Sequence, residues 1–105
     1  MSDRRKGAPK GERGLRLIGS LGGELVGRFT KLDLHGVRVE DVRDRVDQFL
    51  DQYIVSGGTV EIVFGIGTGA VRKEVLNYLK ELKAGRGAYS IQDYKEQRIS
   101  CLVVV

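Results

Sequence analysis

Tryptophan is absent from this chain of 105 residues, and phenylalanine and tyrosine contribute only three and four residues. A hydrophobic core must therefore be built mainly from valine, leucine and isoleucine. A single cysteine, Cys101, excludes an intrachain disulfide and fits a reducing compartment. It lies in an apolar run and reads as a buried thiol more than as a nucleophile. No stretch approaches the ~20 apolar residues of a membrane helix, so no membrane partner is expected. The basic N-terminus lacks the unbroken apolar run of a signal peptide, because Gly19, Ser20, Gly22, Gly23 and Glu24 interrupt it. These absences together imply a cytoplasmic location. There is one histidine, and no Gly-Lys-Ser/Thr of a Walker loop.

What is present is distributed unevenly. Residues 1–16 carry six Lys/Arg against Asp3 and Glu12, whereas residues 17–105 carry twelve charges of each sign. The whole positive excess lies in a segment punctuated by Gly7, Pro9, Gly11 and Gly14. That composition reads as a disordered basic arm suited to phosphate backbones, or as a solubilising tail. Residues 17–29 alternate weakly around Gly22-Gly23, as a loose hairpin or extension would. Residues 30–105 form one small domain.

Within that domain, Lys31–His35 alternates, with Leu32 and Leu34 on one face and Asp33 and His35 on the other. Gly36 ends the strand. Val42, Val46, Phe49, Leu50, Tyr53 and Ile54 define the apolar stripe of a helix over residues 39–56, stopped by Gly57-Gly58. Its polar face reads as solvated, with Arg43 and Asp47 spaced as an exposed ion pair. Thr59–Phe64 is a β-branched strand. Val71, Val75, Tyr78, Leu79 and Leu82 mark a second helix over 69–83, closed by Gly85-Arg86-Gly87. Tyr89–Tyr94 and Ile99–Val105 read as strands, and the last, apolar on both faces, belongs in a sheet interior. The order is β-α-β-α-β-β. It predicts an α+β two-layer sandwich: a four-stranded mixed sheet, parallel where helices connect strands, with both helices on one face and the other face open.

Two motifs carry chemistry. Asp33 and His35 on one strand face place their Cα atoms ~6–7 Å apart. A histidine exchanges protons near neutral pH, and an adjacent aspartate can orient it or hold a cation. The alternative is a histidine that merely caps the strand. The loop Phe64-Gly65-Ile66-Gly67-Thr68-Gly69-Ala70 opens a helix, where free backbone N–H groups and the helix dipole favour an anion. Arg72 and Lys73 follow in the first turn, as phosphate partners or ordinary surface charge. Gly65-x-Gly67-x-x-Ala70 also fits the dinucleotide fingerprint, but the 35 residues after Ala70 are too few for the remaining strands of that fold. Phe64 reads as core with Val60 and Ile62, or as a platform for an unpaired base. One histidine and scattered carboxylates predict no resident metal site. Mg²⁺ is compatible, since it accepts one or two carboxylates with water, but is not required. Because both motifs end neighbouring parallel strands, Asp33, His35 and residues 65–69 are expected to converge on one patch.

Leu32-Asp33-Leu34-His35-Gly36 followed by Gly65-Ile66-Gly67-Thr68-Gly69-Ala70-Val71-Arg72 resembles the Smr (small MutS-related) domain family, with its LDLHG motif and HGxGTG loop. The resemblance covers roughly residues 30–105. It implies the β-α-β-α-β-β fold, also that of the C-terminal domain of the third bacterial translation initiation factor. It implies an endonuclease acting on RNA or structured DNA, with nucleic acid and the ribosome as partners and DNA repair among its settings. Asp33 and His35 would be catalytic; Gly65, Gly67, Thr68, Gly69, Arg72 and Lys73 would hold phosphate. Two positions depart from the family pattern: Phe64 stands where the motif has histidine, and Ile66 where lysine or arginine is common. The rival expectation is a binding module without turnover that uses the same cleft.

Overall fold

The computed structural model describes residues 29–67 and 69–105. The basic arm of residues 1–16, almost all of the extension at 17–29, and Thr68 lie outside the described residues. The elements run β1 (Lys31–Asp33), a 3-10 turn (Val39–Asp41), α1 (Val42–Asp51), β2 (Thr59–Val63), α2 (Ala70–Lys83), β3 (Asp93–Glu96) and β4 (Ser100–Val104). The four strands form one sheet in the order β1-β2-β4-β3. β1 and β2 are parallel, while β4 is antiparallel to both β2 and β3. The mixed α+β fold expected from the residue pattern is present, and the doubly apolar β4 is interior.

Alternation sorts β2 and β4 cleanly. Val60 pairs with Val103 and Ile62 with Cys101, and these side chains join one core cluster with Val42, Val46 and Leu50 of α1 and Val75, Leu79 and Leu82 of α2. Both helices therefore pack on the same face. Burial pushes the Cys101 thiol up to about 12, which removes it as a thiolate nucleophile at neutral pH.

The opposite face departs from expectation. Glu61, Ser100, Leu102 and Val104 are all buried there, so it is not open at its centre. The physical reason was in the sequence: a strand apolar on both faces needs both faces covered. The Glu61 carboxylate accepts a hydrogen bond from the Ser100 hydroxyl at 2.7 Å, and Ser100 accepts one from the Gln97 amide at 3.0 Å.

Three boundaries also shift. β1 stops at Asp33 instead of His35. α1 ends at Asp51, with Tyr53 and Ile54 in the turn beyond it. β3 begins at Asp93, not Tyr89. The end of α2 matches expectation: Gly85 takes the left-handed conformation (φ 78°), its N–H bonds the Leu82 carbonyl, and the Arg86 N–H bonds that of Glu81. This Schellman arrangement satisfies carbonyls the helix leaves orphaned.

The polar face of α1 is solvated at Asp41, Asp44, Arg45 and Asp51, as expected, but Arg43 and Asp47 are half-buried in a seam between helices. Arg43 pairs with Glu74 at 2.8 Å and Glu81 at 3.0 Å on α2, and lies over the Tyr78 ring. Asp47 accepts the hydroxyls of Tyr78 (2.5 Å) and Tyr89 (2.6 Å) through one oxygen. Tyr89, which lies before β3, is thus held by its hydroxyl against α1. Burial and then the Asp47 bond raise both hydroxyls above the ordinary tyrosine value, Tyr78 to about 12. Folding therefore favours the protonated hydroxyls. Their contribution is intact below the unfolded value of ~10 and is lost as pH climbs from there towards 12. Chemical denaturation followed against pH should show a flat midpoint to about pH 9 and a fall above ~10. Tyr89→Phe should cost ~1 kcal/mol at neutral pH and shrink the alkaline fall.

Candidate nucleic-acid cleft

The site is assembled where β2 ends. The parallel register sets Asp33 beside Val63, and the Leu34 N–H bonds the Val63 carbonyl at 2.9 Å. The chain then turns. The Val37 N–H returns to the Leu34 carbonyl at 3.0 Å, and Gly36 supplies the positive φ (78°) that this turn demands. Asp33 does not face the His35 ring along a strand. One of its carboxylate oxygens accepts the His35 backbone N–H at 2.9 Å. The aspartate thereby fixes the turn that holds the exposed imidazole at the rim.

On the other side, the antiparallel register of β2 and β4 brings the β3–β4 turn alongside the glycine loop. The N–H groups of Phe64 and Gly65 both donate to the Ile99 carbonyl, at 2.8 and 3.1 Å. Gly69 takes the N-cap position of α2 with φ 91°, and its carbonyl accepts the first helical bond from Lys73 at 2.9 Å. The first turn of α2 contains no acidic residue, while Arg72 and Lys73 add charge to the positive end of the helix dipole.

These segments enclose a cleft of about 500 Å³. His35 and Gly36 line one wall; Gly65, Ile66, Gly67 and Gly69 the loop side; Val71 and Arg72 the helix; Arg98 and Ile99 the hairpin. Leu34 and Phe64 complete the lining. Among the described residues, its ionisable side chains are His35, Arg72 and Arg98, all basic or imidazole. The structure therefore brings His35 together with Gly65, Gly67, Gly69 and Arg72. Asp33 acts from behind the turn and Lys73 is exposed outside the lining. Thr68 lies outside the described residues.

Arg72 occupies the cleft differently from a free phosphate clamp. Its Nη1 donates to the Glu96 carboxylate and, at 3.1 Å, to the Gln97 carbonyl; its Nη2 donates to the Arg98 carbonyl. The guanidinium also stacks 4.7 Å from the Phe64 ring centroid. Both Nη1 hydrogens and one on Nη2 thus serve to pin the hairpin to the helix. Phe64 is buried in the core cluster and forms the floor beneath Arg72. Residue pattern alone missed Arg98 and Ile99. Extending the β2–β4 register past Val63–Ser100 would have placed both beside Phe64 and Gly65.

Among the described residues, no three His, Cys, Asp or Glu side chains group closely enough to hold a metal ion. Among them, too, no helix is long and apolar enough to cross a membrane.

Comparison with known proteins identifies the family. The Smr domain family profile matches residues 32–105, which includes every described element except the first residue of β1. The chain belongs to the Smr domain family. Endonuclease MutS2 of Lactiplantibacillus plantarum is 50% identical over 50 residues, covering 47% of this chain and 6% of that protein. Endonuclease MutS2 of Streptococcus pyogenes is 41% identical over 58 residues, covering 54% of this chain and 7% of that protein. The chain thus spans less than a tenth of the length of these curated relatives. No solved structure matches it.

The glycines of the loop are separable by experiment. Gly69 sits at positive φ, so Gly69→Ala should cost ~1–2 kcal/mol of stability. Gly67 does not, and a Cβ there would meet nothing within 4 Å. Gly67→Ala should leave the melting temperature unchanged or slightly raised. It should nevertheless weaken oligonucleotide binding, because the methyl would stand between the loop amides and an incoming phosphate.

Proposed function

We propose that this domain is an Smr-type endonuclease acting on RNA or structured DNA. One observation carries the reading: the chain's single histidine and its amide-rich glycine loop line the same cationic cleft. The names of the MutS2 relatives, both endonucleases, support it. In this reading the loop amides beyond Gly65, whose own N–H is bonded to Ile99, and the start of α2 hold a backbone phosphate, with Thr68 and Lys73 alongside. Arg98 contributes charge from the hairpin. Arg72 keeps the hairpin in place and adds to the local positive potential. Asp33 is a positioning residue, acting through the main chain of His35.

On RNA, His35 takes the proton of a 2′-hydroxyl. The freed oxygen attacks the adjacent phosphorus, the bond to the 5′-oxygen breaks, and that oxygen takes a proton from water. The products carry a cyclic phosphate and a 5′-hydroxyl. On DNA the same imidazole would deprotonate a water that attacks the phosphorus; one bridging P–O bond breaks and its oxygen takes a proton from solvent, leaving a phosphate monoester and a hydroxyl. Mg²⁺ is compatible with the site, since it accepts one or two carboxylates with water and substrate phosphate and the His35 N–H occupies one Asp33 oxygen only, but these steps do not require it. The MutS2 names support a repair setting, and the family resemblance extends the reading to a ribosomal one.

A specific observation favours a second reading, binding without turnover. Phe64, at the motif's histidine position, is buried under Arg72, so the loop presents no imidazole of its own.

Labelled single-stranded RNA and branched DNA, each with Mg²⁺ or chelator, distinguish the two. His35→Ala should lower cleavage by ~10²–10⁴-fold with little change in binding. Binding with no cleavage of either substrate would establish the module reading. Phe64→His places a polar ring in the core and should lower the melting temperature. If the missing histidine is what limits turnover, the same preparation should also cleave faster.

A further inference from the structure

Ile66 is 96% exposed at the tip of the glycine loop, a costly place for a branched aliphatic side chain. A lone exposed apolar residue needs no explanation, as Val55, 99% exposed on the turn before β2, illustrates. Ile66 is not alone. It continues an apolar wall formed within the same cleft by the half-buried Val71 and Ile99, with the buried Leu34 behind them. The cleft therefore has two chemically distinct parts. The amides, His35 and Arg98 suit phosphate, whereas the wall has no use for it. A nucleotide has the same division, an anionic phosphate joined to a flat, largely apolar base. In a continuous duplex the base faces are covered by their neighbours, so an apolar wall finds nothing to bury. Aliphatic side chains that engage bases do so at opened or unstacked steps.

We propose that Ile66 and the adjoining apolar wall receive one unstacked base, so that the domain selects single-stranded or locally opened nucleic acid over continuous duplex. This rests on the reading that the glycine loop holds the neighbouring phosphate. Ile66 is a specificity-determining residue in it, not a catalytic one. Being fully solvated, it can be replaced without disturbing the core.

The test uses the full chain and three fluorescent probes of 2′-O-methyl RNA, which cannot be cut through the 2′-oxygen: a single strand, its perfect duplex, and a strand of abasic residues. Wild type should bind the single strand about tenfold more tightly than either other probe, the effect of roughly half-burying an isoleucine. Ile66→Ser should erase most of that preference while leaving the abasic affinity and the melting temperature unchanged. Val55→Ser, the matched control, should change nothing. Equal affinities of wild type and Ile66→Ser for all three probes would overturn the proposal, as would an equal loss on all three. Cleavage of unmodified RNA by wild type, lost in His35→Ala, reports separately on the nuclease reading. A wild type that binds none of the probes would defeat both.

Discussion

Everything at the cleft depends on the pairing of β2 along both of its edges. The parallel bond pattern to β1 fixes where the Leu34–Val37 turn emerges, and the antiparallel pattern to β4 fixes where the β3–β4 turn lies. Because β2 runs directly into the glycine loop, three segments far apart in sequence meet at one end of the sheet. A one-residue slip of either pairing would reverse the faces of the slipped strand and carry His35 or Ile99 away from the loop. Core packing guards against such a slip. Val60, Ile62, Cys101 and Val103 are buried against the helices, and Glu61, Leu102 and Val104 are buried on the other face.

A second tier of contacts turns that end of the sheet into a defined site. Arg72 ties the first turn of α2 to the β3–β4 turn while covering Phe64, which fixes the helix and hairpin walls of the cleft against each other. Its guanidinium is planar with hydrogens in a fixed fork, which suits it to bridge two carbonyls and a carboxylate at once. At the rim, Asp33 does comparable work on the backbone of His35. In both cases a residue that the motif suggests for direct chemistry spends its hydrogen bonds on geometry. The groups left to meet a ligand are the loop amides, the imidazole and the apolar wall.

Much of this was legible in the residues. Helical spacing located α2 within a residue at its start, and Gly85 stopped it for the reason expected of a left-handed cap. The doubly apolar run from Cys101 identified an interior strand. It also implied a covered second face, a consequence that was missed. The shortened β1 was harder to read, because alternation continues through His35 while Gly36 and the Asp33 carboxylate draw the backbone into a turn. Nonlocal contacts explain the remaining misses. Arg43 and Asp47 are spaced for an exposed pair, yet each finds better partners on other elements, Glu74 and Glu81 for the first and two tyrosine hydroxyls for the second. Nothing in the local pattern around Tyr89 signals that its hydroxyl is bound to a helix 42 positions away.

The central claim is that His35 and the glycine loop engage the same phosphodiester. Isotope-labelled protein titrated with an uncleavable 2′-O-methyl oligonucleotide tests it most directly by magnetic resonance. A shared site predicts that the amides of Gly67 and Gly69 and the ring resonances of His35 shift together along one binding curve. Amide shifts at the loop with an unmoved His35 ring, or two curves of different midpoint, would contradict it.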